Sequence, residues 1–195
     1  MNLTDALIIP GFSEREDDRY RRIASAFRGI GATPVFVPIV WPRTVITQNV
    51  EQFRPVYARY DPATTVVFGY SLGAMVAYMA ARERSPAALI LASVAPWFAE
   101  DVPERSHYHT RVIGSRRLSV YRGITFDDGA HRVTSRTTIL VGEREIKQWP
   151  IFLTRARAVH AAISGSDLIT VPRARHEIGH PKYMRAIERA IAGLA

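Results

Sequence analysis

The sequence predicts an α/β protein with a doubly wound, mostly parallel six-stranded sheet flanked by helices. Two observations lead there. Six short apolar runs alternate with longer amphipathic segments, which is the rhythm of βαβ units. The runs are also rich in Val, Ile and Leu with little polar alternation, as strands covered on both faces are. At 195 residues the chain is expected to form a single domain, 1–195, with a sizeable core.

Taken in order, the first strand is expected at Ala6–Ile9. Glu14 to Gly29 reads as a helix, because acidic residues fill its first turns, arginines follow and Gly29 and Gly31 stop it. Tyr20, Ile23, Ala24 and Phe27 give that helix an apolar stripe. The second strand is expected at Pro34–Val40, and the next helix at Asn49–Tyr60, bent or split by Pro55. Thr65–Phe68 is the third strand, followed by a helix over Ala74–Glu83 that is small and apolar nearly all round. Ala88–Ser93, Thr137–Val141 and Asp167–Val171 are the remaining strands, with helices over Pro150–Ile163 and Pro181–Leu194.

The segment from about 96 to 136 breaks this rhythm. It holds Trp97, Phe98, His107, Tyr108, His109, Arg116, Arg117 and Tyr121 without a clear strand period. Two readings stand: a short lid or cap insertion that shapes a pocket, or a surface excursion with one or two helices.

Composition narrows the function classes. The chain is 47% hydrophobic and 23% charged, the proportions of an ordinary globular protein. No apolar run reaches the ~20 residues of a membrane span. Leu7-Ile8-Ile9 is too short for a signal-peptide core, so the expected location is cytoplasmic. The absence of cysteine removes disulfides, thiolate metal sites and cysteine nucleophiles. The net charge of +8 comes mostly from arginine, 24 Arg against 2 Lys, scattered along every segment. Without a helix-turn-helix signature, a basic aromatic strand or zinc-finger spacing, no nucleic-acid partner is expected. A positive field would instead attract anionic small molecules.

Chemistry enters at Gly69-Tyr70-Ser71-Leu72-Gly73. This pentapeptide follows Thr65-Val66-Val67-Phe68 and opens an Ala-rich helix. A serine nucleophile on a sharp strand-to-helix turn needs small neighbours two positions either side, and Gly69 and Gly73 meet that need. The alternative is an ordinary αβ turn. Ser71 would need a base within hydrogen-bond reach, and the base a carboxylate to fix its tautomer. On a doubly wound sheet such side chains emerge at the C-terminal ends of strands. Val141 is followed by Gly142-Glu143-Arg144-Glu145, and Val171 by Pro172-Arg173-Ala174-Arg175-His176. The chain order Ser71, Glu145, His176 is the order Ser…Asp/Glu…His. Glu143 competes with Glu145 for the acid. His180 lies four residues after His176, but Gly179 intervenes and no third ligand is evident, so neither a metal nor another cofactor is expected.

These residues resemble the α/β-hydrolase superfamily, in the form of a small serine hydrolase with a reduced cap. The resemblance runs from Leu7 to the final helix. It is carried by Ile9-Pro10-Gly11-Phe12, Gly69-Tyr70-Ser71-Leu72-Gly73, Val141-Gly142-Glu143-Arg144-Glu145 and Ala174-Arg175-His176-Glu177-Ile178. It implies that the backbone N–H groups of Phe12 and Leu72 form an oxyanion hole. Two departures stand out. Proline replaces the histidine of the family's common His-Gly-Phe turn, and glutamate replaces its commonest acid, aspartate. The chain also begins at what would be the third strand of a full-length member.

The implied function is hydrolysis of a carboxylic ester of a small or medium hydrophobic acyl group, through an acyl-enzyme. A thioesterase on acyl-CoA or carrier-bound acyl chains would use the same residues, and a non-catalytic ligand-binding protein on the same fold is the alternative from another class. The partner expected is a small-molecule acyl ester or thioester. Tyr70, Trp97 and Phe98 are the candidates for a substrate pocket.

Overall fold

The computed structural model describes residues 2–102, 111 and 113–195. Six strands run β1 Asp5–Ile9, β2 Thr33–Phe36, β3 Thr65–Tyr70, β4 Ala88–Ala92, β5 Arg136–Gly142 and β6 Asp167–Val171. They form one sheet in the order β2-β1-β3-β4-β5-β6, and every pairing is parallel. The order reverses between β1 and β3, which places a switch point beside the turn after β3.

The near-continuous apolar strands divide their side chains between two cores by simple alternation. Leu7, Ile9, Val67, Leu89, Leu91, Ile139 and Val141 point to one face. Ile8, Val66, Phe68, Ile90 and Leu140 point to the other. Helices α1 (Asp18–Gly29) and α7 (Pro181–Ala192) cover the second face. Helices α2 (Ile46–Tyr57), α3 (Leu72–Ala81), α4 (Ser115–Arg122) and α6 (Ile151–Ala162) cover the first. A short helix, α5 (Glu143–Gln148), follows β5 directly. Among the described residues no helix is long and apolar enough to cross a membrane.

Local chemistry explains most boundaries. Asp17 caps α1 by accepting from the N–H groups of Arg19 at 3.0 Å and Tyr20 at 3.4 Å. The helix therefore starts four residues later than the charge pattern predicts, because Glu14 turns back to the Gly11 N–H instead. Pro55 sits within α2 near its last turn without splitting it. The second strand, expected to reach Val40, ends at Phe36. Val37 still donates to Ile8 O at 2.9 Å, but Pro38 has no N–H to carry the ladder on. β2 and β6 are the sheet edges and are not buried on both faces as expected; Ile169 of β6 is 40% exposed. Pro34 is tolerated in β2 because an edge strand has one unpaired side.

In the segment 96–136, the described portions dock on the first face. Phe98 is enclosed by Tyr78, Phe126 and the Arg155 guanidinium, which lies 4.7 Å from its ring. Arg155 forms a fork with Asp101, Nε at 3.0 Å and Nη2 at 2.8 Å, and both side chains are buried. Asp101 Oδ2 also accepts from Phe98 N at 3.0 Å. Arg82 donates to the carbonyls of Thr125 and Phe126 at 2.9 and 3.0 Å. His107, Tyr108 and His109 lie outside the described residues.

The buried fork makes a definite prediction. Asp101→Ala removes both hydrogen bonds to the buried Arg155 guanidinium and leaves it only Glu100, 3.8 Å away, and should cost about 3 kcal/mol of unfolding free energy in a urea titration. Loss of less than about 1 kcal/mol would mean that Arg155 reaches solvent readily.

Candidate active site

The turn after β3 carries the most constrained backbone of the site. Ser71 has φ 54° and ψ −119°, a conformation that a side-chain-bearing residue adopts only when its surroundings enforce it. The enforcement is visible. Ser71 N donates to Ala92 O at 2.9 Å, and Ser71 O accepts from Ala74, Met75 and Ala95 N–H groups at 3.0–3.2 Å. The flanking glycines permit the close approach. A Cβ on Gly69 would meet Gly73 O at 2.5 Å, and one on Gly73 would meet Pro10 O at 2.3 Å. The second contact shows that the loop after β1 packs directly on the start of α3.

The hydroxyl lifted by this turn meets the other two expected residues in one line. His176 Nε2 lies 3.0 Å from Ser71 Oγ, and His176 Nδ1 lies 2.6 Å from Glu145 Oε1. A carboxylate only accepts, so Nδ1 carries a proton and Nε2 presents its lone pair to the serine hydroxyl. Glu145 is fully buried, whereas the His176 side chain retains 25% exposure. The ring is held on several sides. Tyr70 stacks on it at 5.3 Å and 28°, Phe152 lies at 5.0 Å, and Trp149 meets it edge-on at 6.2 Å.

Glu145 and Glu143 separate cleanly. Glu143 faces out, pairs with Lys147 at 2.9 Å and accepts from Arg173 N at 2.8 Å, and these partners draw its carboxyl below the usual range. Glu145, two residues on, turns into the protein at the third position of α5 and accepts from Gly142 N at 2.9 Å. The acid and histidine loops are joined by one carbonyl, since Ala174 O accepts from Arg144 N at 2.8 Å and Glu145 N at 3.3 Å. Gly142 is needed there because a Cβ would sit 2.6 Å from Ala174 O. His180 does not join the line; it sits at the cap of α7.

Two polar residues that the motifs did not single out complete the acid's surroundings. Ser93 Oγ donates to Glu145 Oε2 at 2.7 Å and lies 2.6 Å from the Tyr183 hydroxyl. With its own proton on Glu145, Ser93 accepts from Tyr183, whose hydroxyl also reaches Leu140 O at 3.2 Å. Burial and then the nearby Glu145 charge push the Tyr183 hydroxyl well above its ordinary pKa, so it remains a donor. Ser93 also has φ 49°. The available signal was a serine ending an otherwise apolar run; nothing in sequence ties it to Tyr183.

The loop after β1 is similarly pinned. Gly11 N is 3.0 Å from both Glu14 Oε2 and the Tyr20 hydroxyl, and Tyr20 in turn donates to Glu14. The N–H groups of Phe12 and Leu72 have no acceptor among the described residues. Phe12 itself is 47% exposed, 5.9 Å from Trp41, with the Arg117 guanidinium 5.2 Å from its ring. A cavity of about 550 Å³ opens beside this loop, lined in part by Glu14, Phe36, Ile39 and Trp41.

The three residues expected to line a pocket part company. Tyr70 is buried against His176, Trp97 stacks on Tyr121 at 5.3 Å, and Phe98 has no exposed surface. Phe98 belongs to the core, drawn in by the Asp101–Arg155 fork rather than turned toward substrate.

This fold is the α/β-hydrolase fold. The chain is similar over 99% of its length to 87% of Est1E from Butyrivibrio proteoclasticus, with TM-score 0.79 and 17% identity. It is similar over 100% of its length to 93% of the esterase EaEST from Exiguobacterium antarcticum, with TM-score 0.72 and 14% identity. Alpha/beta hydrolase domain-containing protein 10 from mouse matches 97% of this chain over 88% of its own, with TM-score 0.69 and 15% identity. No family model and no curated protein matches the sequence.

The acid's supports can be tested by stability alone. Ser93→Ala removes one of the two donors to Glu145 Oε2 and strips the Tyr183 hydroxyl of its shorter partner. It should cost about 1–3 kcal/mol, read by chemical denaturation. Gly73→Ala, which drives a methyl group into backbone carbonyls, should cost about the same through overpacking.

Proposed function

We propose that the protein is a serine hydrolase that cleaves a carboxylic ester through an acyl-enzyme. The observation that supports this most is the continuous line from Ser71 through His176 to buried Glu145, at 3.0 and 2.6 Å. Ser71 Oγ attacks the acyl carbonyl carbon while its proton passes to His176 Nε2. Glu145 stabilises the imidazolium through the Nδ1 proton. The carbonyl electrons move to oxygen, where the free N–H groups of Phe12 and Leu72 receive the developing charge. Collapse breaks the bond to the alcohol, which leaves with the Nε2 proton. A water then gives its proton to His176, attacks the acyl group and returns free acid and Ser71.

The half-exposed Phe12 and the apolar wall of Phe36, Ile39 and Trp41 beside it favour a small or medium hydrophobic or aromatic acyl ester. Est1E, among the solved structures of this fold, has been obtained with ferulic acid bound, an aromatic acid. The same residues would serve a thioester, and the net charge of +8 favours an anionic carrier.

Intact mass after fluorophosphonate treatment tests the reading. Wild type should gain one adduct, Ser71→Ala none, and His176→Ala one formed far more slowly. Turnover of a short-chain ester should fall by roughly 10⁴-fold or more in either variant. A folded wild type that takes no adduct would sink the hydrolase reading and leave ligand binding on this fold.

A further inference from the structure

Three arginines surround a cavity next to the loop after β1. The cavity, about 350 Å³, lies between the turn Arg43-Thr44-Val45 and the start of α4, with Arg43, Arg116 and Arg117 in its wall. The depression opens to solvent and is wide enough to admit a small solute group. Two of the guanidiniums are held in place by neutral acceptors. Arg116 donates to Arg43 O at 3.0 Å and Gln48 Oε1 at 3.3 Å. Arg117 donates to Thr44 O at 3.0 Å and Trp41 O at 2.8 Å. The Arg43 side chain makes no hydrogen bond among the described residues, and none of the three meets a carboxylate there. Two fixed forks and a third guanidinium, none paired with a carboxylate among the described residues, suit a group with several anionic oxygens.

The cavity's position gives this charge a use. Arg117 lies over the ring of Phe12, and the Pro10 carbonyl two residues before Phe12 packs against Gly73, two residues after Ser71. Arg117, in the wall of the arginine depression, thus touches the loop after β1, and that loop packs on the start of α3 beside Ser71. Resting on the hydrolase reading, we propose that this cavity is a substrate subsite for a phosphate group. The substrate class is then a phosphorylated ester or thioester, its phosphate held by Arg43, Arg116 and Arg117 and its carbonyl at Ser71.

The test separates this subsite from the hydrolase reading by measuring binding without turnover. Ser71→Ala protein is titrated calorimetrically with phenyl phosphate, benzoate and benzyl alcohol at low and high salt. Phenyl phosphate should bind most tightly, and Arg43→Gln combined with Arg116→Gln should weaken it by about 10-fold or more, the loss expected for hydrogen bonds to a charged group. Arg59→Gln, an exposed arginine elsewhere, removes the same kind of charge and should change binding less than twofold. Thermal unfolding of each variant checks that the fold persists, and Arg43→Gln alone, which breaks no side-chain hydrogen bond among the described residues, serves if the double variant is unstable. With Ser71 intact, the kcat/KM ratio of a phosphate-bearing thioester over its neutral counterpart should be lower in Arg43→Gln than in wild type. Equal weakening by Arg59→Gln would reduce the effect to the general positive field and overturn the subsite. So would benzoate binding as tightly as phenyl phosphate, or no phosphate binding at all. Fluorophosphonate labelling of wild type reports on Ser71 independently of any of these outcomes.

Discussion

The backbone of Ser71 is the constraint on which the rest of the site depends. A φ of 54° with ψ −119° is unfavourable for serine, and it holds because every hydrogen-bonding group of that residue's backbone is committed. Its N–H is tied to the end of β4 and its carbonyl to three separate N–H groups. Helix α3 behind it is buried along its whole length, so the turn cannot relax by shifting the helix outward. Gly69 and Gly73 are the condition for this packing, since each would drive a side chain into backbone atoms. A hydroxyl carried on so fixed a backbone needs little reorganisation to meet His176.

The same principle extends to the acid. Glu145 is fully buried, and burial of a carboxylate is costly unless each oxygen has donors. Oε1 has His176, and Oε2 has Ser93 and the Gly142 N–H. Tyr183 then directs the Ser93 proton, so one chain of hydrogen bonds reaches from α7 through Glu145 and His176 to Ser71. Three loops from the C-terminal ends of β3, β5 and β6 meet there, joined by the carbonyl of Ala174 and by the strained Ser93 after β4.

The arginine-rich composition finds a structural explanation that the charge count alone does not suggest. Arg82, Arg84 and Arg117 each clamp two backbone carbonyls that no strand or helix satisfies. A planar fork with five donors can do this where a lysine ammonium cannot keep the same geometry. Arg155 goes further and carries its charge into the core, matched by Asp101. Arginine therefore ties Asp101, Thr125 and Phe126 to helices α3 and α6, and the 41–44 turn to α4.

What the sequence determined by itself was local or periodic. The six strands, the helices between them, the glycine-flanked turn at Ser71 and the order serine, acid, histidine all follow from spacing within a few residues. Sequence also places Glu143 and Glu145 at one strand end and favours Glu145 on spacing, with Glu143 left as a competitor. That choice was tertiary: Glu143 falls on the outer side of α5, while Glu145 points to the histidine loop that docks on Ala174. Ser93 and Tyr183 were illegible because 90 residues separate two side chains that act through one 2.6 Å contact. Phe98 was misplaced for the opposite reason. An aromatic in an irregular segment looks like a pocket wall, until a buried arginine and aspartate decide which way the segment folds. Edge strands likewise look like central ones in sequence, because only the neighbour list of the assembled sheet says which face remains open.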